Sequence, residues 1–144
     1  MIVRQILKAK FDDGVVTVQP GMTVARVVEI LATRRIGAVV VSSDGKRPEG
    51  ILTERDIVRD LSRRGPNSIY EKVRDVMTTP VVTCTAACEA DEVMQKMTDG
   101  KFRHMPVMAG EEMVGLISIR DVVKARLSEV AMERNALEGM IRGY

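Results

Sequence analysis

Thr53, Arg55 and Asp56 recur as Ser118, Arg120 and Asp121, 65 residues further along a chain of 144. The first set lies in Gly50-Ile51-Leu52-Thr53-Glu54-Arg55-Asp56 and the second in Gly115-Leu116-Ile117-Ser118-Ile119-Arg120-Asp121. Gly followed by two aliphatics suits a short buried strand, and a hydroxyl with an acid three residues later is a capping box that opens a helix. Such a helix start offers free backbone N–H groups and the positive end of the dipole, which favour anions. The hydroxyl can donate to a phosphate oxygen. The carboxylate would repel a bare phosphate but accepts hydrogen bonds from vicinal hydroxyls, as on a ribose. The chemistry implied is recognition of a sugar phosphate. The plain alternative is that both acids only cap helices; the duplication favours ligand contact for at least one. Arg55 and Arg120 are either solvated charges or phosphate contacts.

His104 is the sole histidine. It follows Arg103 and precedes the Met105-Pro106 pair, so a phosphate tail would meet two candidate cations. Cys84 and Cys88 cannot close a structural zinc site with one histidine, and their C-x-x-x-C spacing is not the redox C-x-x-C. They read as small buried residues, and the methionines at 94, 97, 105, 108 and 113 as adaptable core packing. No nucleophile with a positioned base and no pair of catalytic acids stands out. The chain is expected not to be an enzyme, to need no cofactor and to hold no metal.

The elements that position these residues repeat as well. Val3-Arg4-Gln5-Ile6-Leu7 is echoed by Val73-Arg74-Asp75-Val76-Met77. Each precedes a strand candidate with a central threonine, Val15–Val18 around Thr17 and Val81–Cys84 around Thr83. Val24, Val27, Val28 and Leu31 make one helix face, and Ala90, Val93, Met94 and Met97 the same face 66 residues on. Strands Ala38–Val41 and Met105–Met108 follow, then turns, then the two strand-to-helix motifs. The first closing helix stops at Gly65-Pro66, inside a polar linker from Ser62 to Ser68. The order is β-α-β-β-α, twice, with boundaries expected at 1–65, 66–126 and a helical extension at 127–144. Half a chain of this size buries little surface alone, so an α+β module of two repeats packed sheet to sheet, sharing a core, is expected. In the extension Val123, Leu127, Val130, Leu137 and Ile141 fall on a heptad stripe, with Met132, Ala136 and Met140 as a second row. The helix is expected to run from Asp121 towards Tyr144 and to make an oligomer contact.

Hydrophobic residues at 45% are enough for a core, and aromatics at 3% make it an aliphatic one. A net charge of +2 and the lack of basic clusters interleaved with aromatics argue against a nucleic-acid partner. No apolar run has the length of a membrane span, so neither membrane nor secretion is expected and the chain reads as cytoplasmic.

Taken together, the G-h-h-[ST]-x-x-D stretches at Gly50–Asp56 and Gly115–Asp121, the Arg103-His104-Met105-Pro106-Val107 run and the Val73–Thr83 lead-in resemble the CBS-domain pair, or Bateman module. The resemblance extends from Val3 to about Arg126. It implies a regulatory module that binds adenosine-containing ligands (AMP, ADP, ATP, NAD-type dinucleotides, in some members S-adenosylmethionine) in clefts between the repeats. Asp56 and Asp121 would hold ribose hydroxyls, and Thr53 and Ser118 the first phosphate. Thr17 and Thr83 would lie near the ligand, with backbone there reading adenine. It further implies a homodimer, a separate target protein and a stand-alone type; a scaffold with empty clefts is the alternative. The two repeats differ in one wall. Ile36, Gly37 and Ala38 stand where the second repeat brings Arg103, His104, Met105 and Pro106, with Arg103 and His104 set against Ile36 and Gly37. The Asp121 cleft is therefore expected to prefer more phosphate. Pro20 of the first repeat is replaced by Ala86 in the second.

Overall fold

The structure, a computed structural model, describes residues 1–10 and 14–142. Each half lays down a short strand, an amphipathic helix, a two-stranded hairpin and a closing helix. In the first half these are β1 (Thr17–Val18), α2 (Val24–Arg34), β2 (Ala38–Val41), β3 (Gly50–Thr53) and α3 (Glu54–Arg64), preceded by α1 (Val3–Ala9). In the second they are β4 (Cys84–Thr85), α5 (Ala90–Gly100), β5 (His104–Ala109), β6 (Glu112–Ser118) and α6 (Ile119–Ile141), preceded by α4 (Val73–Val76). Both sheets have three strands: β1 and β4 run parallel to β2 and β5, which pair antiparallel with β3 and β6. The α+β tandem architecture expected from the sequence is the one observed. Helix α3 stops where expected, because Gly65 adopts φ 84° and Pro66 then opens a 3-10 turn to Tyr70.

The register corrects the pairing of the two repeats by one residue. Helices α2 and α5 both end on a left-handed residue, Arg35 and Lys101. Counting on from these, Ala38 pairs with Thr53, and His104 pairs with Ser118. The counterpart of His104 is thus Ala38, and that of Arg103 is Gly37, where the sequence reading set them against Gly37 and Ile36. In a strand a slip of one residue changes the face on which a side chain lies.

The opening strands are shorter than expected. In the first half the Val40 amide donates to the Val16 carbonyl at 3.0 Å. The equivalent residue of β5 is Pro106, which has no N–H to give. The β4–β5 ladder therefore starts at Cys84, paired with Val107, and Thr83 falls outside the strand it was expected to centre.

The lead-in helices are exchanged. Val3 and Ile6 of α1 are buried in the core of the second half, with Val93, Met97, Met105, Val107, Ile117 and Val122. Val73 of α4 is buried in the core of the first, with Val18, Val24, Val27, Val39, Val41 and Leu52. Backbone hydrogen bonds follow the same symmetry. Val3 N–H donates to Cys88 at 2.9 Å and Arg4 N–H to Ala86 at 2.9 Å; Val73 N–H donates to Met22 at 2.8 Å and Arg74 N–H to Pro20 at 3.1 Å. The Ala90 amide opening α5 donates to the Met1 carbonyl, and the Val24 amide opening α2 donates to Glu71. Where one shared core was expected, each half keeps its own apolar cluster and borrows one helix from the other's stretch of chain.

Helix α6 buries Val122 and Ala125, so the expected heptad stripe points elsewhere. Leu127 is 66% exposed and Leu137 60% exposed. Tyr144 lies outside the described residues. Among the described residues no helix is long and apolar enough to cross a membrane.

Candidate functional site

The starts of α3 and α6 open onto one cleft of about 790 Å³. Thr53, Arg55 and Asp56 line it from the first half, and Arg103, His104, Ser118 and Arg120 from the second. The two strand-to-helix motifs are therefore brought to one site, and Arg103 and His104 share it with Asp56. This revises the expectation that they belong to a separate Asp121 cleft, because that assignment followed sequence proximity and not the packing of the halves.

Both capping boxes form as the sequence requires. The Asp56 amide donates to Thr53 Oγ1 at 3.1 Å, and the Thr53 amide to Asp56 Oδ2 at 3.0 Å. The Asp121 amide donates to Ser118 Oγ at 3.2 Å, and the Ser118 amide to Asp121 Oδ2 at 2.8 Å. The first helical amides, of Glu54 and Ile119, donate to the carbonyls of Gly37 and Arg103. Among the described residues these contacts leave the amides of Arg55 and Arg120 as the first-turn donors still available at the cleft. The hydroxyls of Thr53 and Ser118 accept through oxygen, so each keeps its proton to donate. Asp56 keeps Oδ1 for a ligand, with Arg59 Nη1 3.7 Å away.

Charge in the cleft is predominantly positive: Arg55, Arg59, Lys101, Arg103 and Arg120 face Glu54 and Asp56. His104 adds no charge. Burial pushes its pKa below the ordinary histidine value, the nearby Lys10 ammonium adds to this, and the carboxylates of Asp121 and Glu54 only partly offset it. Its Nδ1 is buried without a hydrogen-bond partner among the described residues. The cationic histidine considered from the sequence is thus replaced by a neutral ring with one spare nitrogen.

Other candidates fall elsewhere. Gly37 lines the cleft, but Ile36 packs against the first core and Ala38 is buried in β2. Met105 is fully buried in the second core, and Pro106 is buried opposite Leu116. Thr17 is exposed on β1. Thr83 lines a separate shallow hollow with Cys84 and Cys88. Asp121 is absent from the cleft lining: its carboxylate also takes an ion pair from Lys10 at 2.9 Å. Cys84 is buried, which pushes its thiol up to about 11, far from a reactive thiolate. Among the described residues no His, Cys, Asp and Glu side chains cluster as metal ligands.

The sequence reading missed the far wall. Thr78, Pro80, Val81 and Val82 line the cleft together with Ile51; the Thr79–Pro80 peptide is cis. The signal was present in the echoed lead-ins. Thr78 and Ile51 exchange amide hydrogen bonds at 2.9 and 3.1 Å, which lays the stretch entering the second repeat against the sheet of the first.

Two such β-α-β-β-α repeats with exchanged lead-in helices and paired helix starts define a tandem-repeat α+β module. The CBS domain family matches residues 3–63 and 73–128, and the chain belongs to it. The mitochondrial CBS domain-containing protein CBSX3 of Arabidopsis thaliana is 37% identical over 125 residues, covering 84% of this chain; the chain spans 61% of that protein's length. The CBS-domain containing protein ATU1752 from Agrobacterium tumefaciens has the same fold, with a TM-score of 0.82 and 42% identity over 88% of this chain and 99% of its own. The CBS domain protein PAE2072 from Pyrobaculum aerophilum, in complex with AMP, matches with a TM-score of 0.75 and 25% identity over 92% of this chain and 99% of its own.

Proposed function

We propose that this module senses an adenosine nucleotide, bound without catalysis in the cleft between the two helix starts. The observation that carries the reading is the meeting of a ribose-type acceptor, Asp56, with two hydroxyl-capped helix ends and a cluster of arginines in one cleft. Asp56 Oδ1 takes a ribose hydroxyl. The Thr53 hydroxyl and the Arg55 amide meet the first phosphate, with Arg103 and Arg120 beyond it. The apolar wall of Ile51, Val81 and Val82 suits a purine face. The AMP complex of the Pyrobaculum relative supports this ligand class. Calorimetry with AMP, ADP, ATP and NAD on folded, ligand-free protein tests it. A ligand at 100 times its dissociation constant should stabilise the fold by roughly 2.7 kcal/mol. No heat with any of the four at millimolar concentration would sink the reading.

The module also works as a homodimer in this reading, and signals to a target protein. The exposed Leu127, Val130, Leu137 and Ile141 of α6 give a second copy an apolar helix face to pack against. Light scattering should give twice 15.9 kDa; a monomer at high concentration would contradict it.

A further inference from the structure

The two helix starts are built alike but walled differently. We propose that they divide one ligand between them: α3 takes the ribose and the first phosphate, and α6 takes the phosphates that follow. The cleft then selects a nucleoside di- or triphosphate over AMP, with Lys101 and Arg120 as the side chains that read the difference. The inference deepens the nucleotide reading above and rests on it.

Three observations carry it. First, the loop before each hairpin is tied to a helix start by its last carbonyl. The Glu54 amide donates to the Gly37 carbonyl at 2.9 Å, and the Ile119 amide to the Arg103 carbonyl at 2.8 Å. The tie is the same, but the side chains it delivers are not. At α3 the loop residue is Gly37, and Glu54 Oε1 lies 3.4 Å from the point where a side chain there would begin. At α6 the loop residue is Arg103, and the first helical residue is the uncharged Ile119. Second, the charges lining the cleft divide by half. The first half brings Arg55 and Arg59 together with Glu54 and Asp56, two of each sign. The second brings Lys101, Arg103 and Arg120, and among the described residues no acid of that half lines the cleft. Third, those three cations have no counter-ion in the chain. Among the described residues none of them makes an ion pair, whereas Arg59 lies 3.7 Å from Asp56.

The consequence is electrostatic. At the cleft α6 presents the Arg120 amide, the Ser118 hydroxyl and the positive end of a long helix, without a carboxylate beside them. That end suits phosphate. At α3 the Asp56 carboxylate suits a ribose and opposes a lone phosphate. A phosphate monoester carries roughly −1.5 to −2 at pH 7, so AMP answers only part of the positive charge. Further phosphates place their charge where the cations stand uncompensated. Arg103 serves AMP and ATP alike, and Lys101 and Arg120 are left for the phosphates that AMP lacks. The cleft of about 790 Å³ has room for them, since small-ligand sites run from roughly 300 to 1,000 Å³.

Isothermal titration of the full chain with AMP, ADP, ATP and S-adenosylmethionine in metal-free buffer tests this, in wild type, Arg120→Gln, Lys101→Asn and the two combined. Both side chains are exposed, and asparagine suits the left-handed backbone of Lys101. Wild type should hold ATP roughly tenfold or more tighter than AMP, with ADP between them. S-adenosylmethionine, which brings a sulfonium cation and no phosphate, should bind more weakly than AMP. Each single variant should lose about fivefold or more for ATP and stay within about twofold for AMP. In the combined variant ATP should bind no tighter than AMP. Arg63→Gln removes the same charge from the far end of α3 and should leave the ratio of the two affinities unchanged. ATP no tighter than AMP in wild type would overturn the proposal. So would S-adenosylmethionine binding tighter than ATP, equal losses for AMP and ATP in Arg120→Gln, or a matching loss in Arg63→Gln. In each of these cases the nucleotide reading stands, because AMP still binds; no heat with any of the four ligands ends both. If Lys101→Asn does not fold, Arg120→Gln decides the matter.

Discussion

Ile6→Ala is expected to destabilise the second half of the chain by about 2–5 kcal/mol, the cost of a large-to-small change in a packed core. The effect should appear far along the sequence. Ile6 is 4% exposed and packs with Met97, Met105 and Ile117, not with the first sheet. Alanine there leaves a cavity under β5 and β6. It also loosens α1 and with it the preceding Met1, whose carbonyl receives the first amide of α5. Domains of this size have roughly 5–15 kcal/mol of stability in all, so one such change removes a large part of it. Native-state amide exchange reads the location. Met105, Val107 and Ile117 should lose protection first, while Val39, Val41 and Leu52 keep theirs. Val73→Ala should give the mirror pattern, since Val73 is fully buried in the first core. Loss of protection in β2 and β3 on Ile6→Ala, with β5 and β6 unchanged, would show that the helices are not exchanged.

Arg103→Ala should weaken AMP about tenfold or more and leave adenosine nearly unchanged. A hydrogen bond to a charged group contributes roughly 1.5–3 kcal/mol net, and adenosine has no phosphate to lose it from. The side chain of Arg103 is exposed at the cleft, and its carbonyl holds the first amide of α6. Replacing the side chain removes the cation without breaking that backbone contact. Equal losses for both ligands would show that Arg103 supports the wall and does not read phosphate. His104 sets the pH dependence. Its folded pKa lies below the usual value near 6.5, so above that pH it is already neutral. AMP affinity should be flat between about pH 7 and 8.5, where a cationic histidine would show a fall. A decline over that range that vanishes in His104→Gln would contradict the neutral ring.

What the sequence determined by itself was local or periodic. The capping boxes at Thr53–Asp56 and Ser118–Asp121, the stop at Gly65-Pro66, the inward faces of α2 and α5 and the repeat of the whole unit depend on neighbours within a few residues. Such patterns are written in residue types and spacing. The resemblance to the CBS family rested on the same stretches.

Only the tertiary structure decided how the repeats share their parts. Val3 and Val73 carry the same pattern whether each helix covers its own repeat or the other. The choice depends on chain crossings that no short window records. The one-residue register of His104 against Ala38 hangs on where α2 and α5 end in left-handed residues, and Arg35 and Lys101 carry no glycine to announce it. Met105 and Pro106 were read as cleft wall, but the cleft reaches β5 only at its first residue, His104, and both residues after it are buried. Nothing in the residue pattern around Lys10 marks it. Its meeting with Asp121, 111 positions away, comes from the packing of α1 on the second half, and that contact separates two helix starts which the sequence writes almost identically.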